Sequence, residues 1–68
     1  MNEDAFNMSV RNFLKKVGIT SQREIEKAVR DAIASGRIGD GGQLTAVMKL
    51  EVGGIELKHT IEGVIDLE

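Results

Sequence analysis

The apolar positions of this chain follow two rhythms. From about residue 3 to 17, Phe6, Val10, Phe13, Leu14 and Val17 recur at helical spacing and form one stripe. Asn2 precedes the segment as an N-cap, Glu3 and Asp4 fill its first turn, and Lys15 and Lys16 its last. Gly18 follows, where a helix can end in positive φ. The pattern predicts a first helix over 3–17. A second helix over 22–35 is signalled by Ser21-Gln22-Arg23-Glu24, in which the serine serves the N3 amide and the glutamate reaches back to the cap. Ile25, Ala28, Val29, Ala32 and Ile33 make its apolar face, and Gly36 closes it. Glu26 and Arg30 stand in the favourable i, i+4 order. Gly18-Ile19-Thr20 is then a short link, with Ile19 tucked beneath two neighbouring helices.

Beyond Gly36 the period falls to two. Gly39-Asp40-Gly41-Gly42 reads as a loop, after which Leu44, Ala46, Met48, Leu50 and Val52 alternate with mostly polar residues. Gly53-Gly54 interrupts, and Ile55, Leu57, His59, Ile61, Ile65 and Leu67 resume the alternation. This predicts a hairpin of strands 44–52 and 55–67 with a two-residue glycine turn. That register pairs Val52 with Ile55, Leu50 with Leu57, Met48 with His59 and Ala46 with Ile61 on one face. On the other it sets Glu51 against Glu56 and Lys49 against Lys58, two like-charge pairs. The second strand overhangs the first, so residues 64–67 must pair with 37–42, with another chain, or with nothing. The fold class expected is α+β, a two-layer α-α-β-β arrangement in one small domain over 1–68, with both helices on one face of the antiparallel hairpin.

Composition narrows the functional classes. The chain has 68 residues, no cysteine, no tryptophan and no tyrosine. The missing thiols exclude disulfide frameworks, CxxC redox motifs and thiolate metal sites. The longest apolar run is Ala32 to Ala34, too short for a membrane span, and the acidic start is unlike a signal peptide, so the cytoplasm is the expected location. A chain of this size buries only about 60% of the surface its unfolded form exposes, which favours self-association or docking on a partner.

Candidate chemistry is sparse. The single His59 falls on the predicted core face, and the nearest carboxylates, Glu56 and Glu62, point to the opposite one. It reads as a rim-of-core histidine rather than a general base or metal ligand. No serine has a base implied by spacing. Gly39-Asp40-Gly41-Gly42 lacks the Lys-Ser/Thr of a phosphate loop and precedes a strand, so no helix N-terminus would meet a phosphate. No enzymatic activity, cofactor or metal is expected.

Charge is the one asymmetric feature. Arg11 to Arg37 carries seven basic and three acidic residues, whereas the chain from Ile38 onward carries two basic and six acidic. Arg11, Lys15, Arg23, Lys27 and Arg30 therefore form an alternative nucleic-acid surface. A winged-helix reading fails because no third helix completes the core and Glu24 falls where the turn motif needs an apolar residue. The leading expectation is a non-enzymatic protein-interaction module. It would contact itself as a homodimer, or another protein, through an open sheet edge or the polar hairpin face of Thr45, Val47, Lys49, Lys58, Thr60, Glu62 and Val64.

The stretch from Asn2 to Arg11, then Phe13-Leu14-Lys15-Lys16-Val17-Gly18-Ile19-Thr20-Ser21-Gln22-Arg23-Glu24-Ile25-Glu26-Lys27-Ala28-Val29-Arg30 and the acidic Ile65-Asp66-Leu67-Glu68 end, resembles a family of small, uncharacterised proteobacterial proteins of about this length. The resemblance implies a free-standing bacterial protein and assigns no activity or site.

Overall fold

A computed structural model describes all 68 residues. The chain is α+β: one helix, α1 (Glu3–Ala34), followed by strands β1 (Gln43–Val52) and β2 (Leu57–Asp66). It divides into two compact units, Met1–Ile38 and Gly39–Glu68.

The first unit corrects the expected pair of helices, because α1 runs unbroken for 32 residues through the anticipated link at Gly18-Ile19-Thr20. The reason lies in the backbone. Ending one helix and starting another leaves four carbonyls and four N–H groups without intrahelical partners, and a capping box at Ser21 returns only two of the donors. Gly18 in a helix interior costs about 1 kcal/mol relative to alanine, and the chain has no proline to force a break. Gly18 accordingly keeps a negative φ, Ser21 is a half-buried helical residue rather than a cap, and Ile19 is exposed.

Both true ends behave as their residues dictate. The Asn2 side chain accepts a hydrogen bond from the Ala5 amide at 3.0 Å. At the other end Gly36 takes φ +76°, its amide bonds to Ile33 O at 3.1 Å, and the Arg37 amide bonds to Ala32 O at 2.9 Å. This pair of bonds is the Schellman arrangement, which a residue with positive φ makes possible. Glu26 and Arg30 form the expected pair at 3.4 Å, both on the solvent side.

With the break gone, the two predicted apolar faces join into one stripe. Phe6, Val10, Leu14, Val17, Ser21, Ile25, Ala28 and Ala32 follow one another at steps of four, four and three. Such a rhythm averages about 3.67 residues per turn, so the stripe stays nearly in line along a helix about 48 Å long.

In the second unit β1 and β2 pair antiparallel from Gln43 with Asp66 to Val52 with Leu57. The connection is a four-residue turn, Gly53 to Glu56, instead of the two-residue turn expected. Gly54 takes φ +86° and Glu56 φ +54°. The register thus moves by two residues, which leaves every side chain on its predicted face. The apolar face holds Leu44 opposite Ile65, Met48 opposite Ile61, Leu50 opposite His59 and Val52 opposite Leu57. The shift has an electrostatic reason: Glu51 now faces Lys58 and Lys49 faces Thr60, so both like-charge pairs disappear. It also absorbs the overhang. Val64 pairs with Thr45, Ile65 with Leu44 and Asp66 with Gln43, and the Leu67 amide reaches Gly42 O at 2.9 Å. The Gln43 side chain donates through Nε2 to the Asp66 carboxylate at 2.9 Å, and the Gly42 backbone amide donates to that of Glu68 at 3.0 Å.

No side chain is fully buried within either unit. The accessible surface is 6045 Å².

Candidate functional site

The sequence proposes two surfaces, and the structure places each within one unit. On the hairpin, Thr45, Val47, Lys49, Lys58, Thr60, Glu62 and Val64 do share one face, as strand parity requires. Their cross-strand neighbours differ from those expected: Thr45 lies opposite Val64, Val47 opposite Glu62, and Lys49 opposite Thr60. Val47 and Val64 are well exposed, which makes this face apolar towards Thr45 and charged towards the turn. Both strands of the two-stranded sheet also keep an unpaired edge.

On the helix, Arg11, Lys15, Arg23, Lys27 and Arg30 do not form one cluster. At about 100° per residue, Arg23, Lys27 and Arg30 fall on one side, while Arg11 and Lys15 point about a quarter-turn away. Glu24, Glu26 and Asp31 interleave with the first group, and Glu26 holds the Arg30 guanidinium.

The surface that the sequence reading missed is the continuous apolar stripe of α1. Phe6 is 49% exposed, Phe13 53% and Leu14 53%, with Val10 and Ile25 also exposed and Val17, Val29, Ala32 and Ile33 half-buried. The signal was present as two in-phase faces, but the supposed break assigned both to an internal core. Burying side chains of this size stabilises by about 1.5–3 kcal/mol each.

Little else could support chemistry. No group of three or more His, Asp or Glu side chains is arranged to hold a metal ion. His59 lies on the hairpin beside Leu50 and is exposed, with Lys58 and Thr60 as chain neighbours on the other face. Surface hollows lie at the hairpin turn, lined by Glu51, Val52, Leu57 and Lys58 among others, and on α1 beside Phe13, Lys16, Val17, Thr20 and Ser21. Neither contains a buried polar side chain. No helix is long and apolar enough to cross a membrane.

Fold and surface together define a small α+β chain in which one long amphipathic helix precedes a two-stranded antiparallel hairpin. The chain belongs to a family of unknown function, DUF6494, which it matches over residues 1–68. No curated protein and no solved structure matches it.

Proposed function

We propose that this is a small, non-enzymatic bacterial protein-interaction module of the cytoplasm whose first partner is another copy of itself. The observation that carries the reading is the absence of any buried side chain alongside an exposed apolar stripe on α1. Long helices with a periodic apolar stripe draw most of their stability from packing that stripe, which association with another chain supplies. Association through the stripe leaves the hairpin face of Thr45, Val47, Lys49, Lys58, Thr60, Glu62 and Val64, and the open strand edges, free for a further protein.

Sedimentation velocity of the untagged chain at about 10 and 300 μM tests this, together with the Phe13→Asp variant. The native chain is expected to sediment as a dimer, and Phe13→Asp to shift towards monomer because it places a carboxylate in the apolar contact. A native chain that is monomeric at both concentrations would sink the reading. The alternative, nucleic-acid binding through Arg23, Lys27 and Arg30, predicts a salt-sensitive mobility shift with short duplexes at about 50 mM salt.

A further inference from the structure

We infer that two copies of the chain pair their β2 strands antiparallel along the free edge of the hairpin, with Thr60 of one copy opposite Thr60 of the other. The inference rests on the self-association just proposed and assigns to a second copy a strand edge that contact through α1 leaves open.

Backbone parity decides which groups this edge offers. Gly42 and Leu67 continue the register of the strands, and the Leu67 amide donates to Gly42 O at 2.9 Å. Hydrogen-bonded and non-hydrogen-bonded pairs alternate along an antiparallel ladder, so Leu57, His59, Ile61, Gly63 and Ile65 turn their N–H and C=O groups towards β1. Those of Lys58, Thr60, Glu62 and Val64 point the other way, to the side on which the two-stranded sheet has no further strand. A two-fold axis perpendicular to the sheet beside Thr60 lets the two copies exchange hydrogen bonds at the Thr60 pair, and again where Lys58 meets Glu62 on either side of it.

Charge selects that register. Within the hairpin Glu51 already faces Lys58, but Glu62 faces Val47 and has no basic residue opposite it. Pairing about Thr60 sets Lys58 of each copy against Glu62 of the other, two opposite-charge pairs flanking a threonine pair. The neighbouring registers lose this match. Centring on Ile61 sets Lys58 against Val64 and Glu62 against Thr60, and centring on His59 sets Glu62 against Glu56. The outer edge of β1 offers no equivalent, because Lys49 meets Glu51 only about Leu50, where two copies of the strand overlap over 48–52 alone. About Thr60 the β2 strands overlap over 57–63.

The same register keeps the two faces of the sheet in phase. His59 of one copy lies opposite Ile61 of the other, so the apolar face of one hairpin continues into that of its partner across four strands.

The chain has no native cysteine, so single substitutions report position without background. The Cα separation of a hydrogen-bonded antiparallel pair, about 5.5 Å, suits a disulfide. Thr60→Cys is therefore expected to give a covalent dimer on a non-reducing gel after mild oxidation, whereas Thr45→Cys on β1 stays monomeric. In the Thr60→Cys background, Glu62→Lys alone and Lys58→Glu alone each set like charges against one another, and each is expected to lower the dimer yield about tenfold. An equal mixture of these two chains should restore the yield, since every reversed charge then meets its opposite; the restoration separates lost complementarity from lost folding. A dimer band that neither reversal weakens, or that the mixture fails to restore, would overturn the register. An equal band from Thr45→Cys would overturn the choice of β2. No band from a Thr60→Cys chain that still sediments as an associated species when reduced would overturn edge pairing and leave self-association intact. A chain that neither cross-links nor associates would overturn both this inference and the reading it rests on.

Discussion

The helix and the hairpin fail and succeed against local sequence rules in opposite ways. In α1 the two outer boundaries follow their residues closely, with Asn2 capping one end and Gly36 the other, while the interior signals at Gly18 and Ser21 are overridden. In the hairpin the interior alternation holds residue by residue, while the boundary at the turn is displaced by two. The difference is one of competing costs. Inside a helix, every stop signal must outweigh a run of existing backbone bonds. At a turn, two registers of the same parity keep the same apolar face, so small terms such as facing charges decide between them.

The sharpest way to break this comparison is a proline at the supposed junction. If a second helix began at residue 22, Gln22→Pro would fall at its first position and be tolerated. In the continuous helix it removes an internal hydrogen bond and clashes with the preceding turn, so a loss of about 3 kcal/mol is expected, with reduced helical ellipticity in circular dichroism.

Two glycine substitutions sharpen the same point at a smaller scale. Gly18→Ala is expected to stabilise α1 by about 1 kcal/mol, since Gly18 is an interior helical residue with open space around its Cα. Gly36→Ala is expected to destabilise it by about 1 kcal/mol, because φ +76° is left-handed backbone. Thermal melts of the two variants should move in opposite directions; equal shifts would return Gly18 to the role of a terminator.

For the hairpin, Glu56→Gly should stabilise by up to about 1 kcal/mol, because Glu56 is the only non-glycine residue at positive φ. The two-residue turn would put Glu56 inside a strand, where glycine weakens pairing, so amide hydrogen exchange across the strands reports which turn exists. The smallest effect belongs to Glu51 and Lys58. A double-mutant cycle should give a favourable coupling of a few tenths of a kcal/mol that fades with salt, since the pair is exposed. A repulsive contribution from Glu51 would instead match the register in which it faces Glu56.

What was legible in the sequence was whatever rests on periodicity or on a single cap. The α+β class, both strands, the shared face of Thr45 to Val64, and the ends at Asn2 and Gly36 all belong to that group. The unity of α1 was not legible because Gly18, Ser21 and Glu24 compose a sound local terminus, and only the backbone bonds spanning them reveal its cost. The candidate surface was obscured for the same reason: Phe6, Phe13 and Ile25 read as core residues when two helices were expected to cover a sheet, and are exposed on one helix. Apolar spacing identifies which residues want cover without identifying what covers them.

The central claim is that folding of this chain draws on burial supplied by a second copy, and its most direct test is the concentration dependence of thermal unfolding. Helical ellipticity followed from about 5 to 500 μM should give a Tm that rises steadily with protein concentration, as mass action requires when association and folding are coupled. A Tm unchanged across that range, with a single cooperative transition, would contradict the account and mean that the isolated chain is stable with its apolar stripe in water.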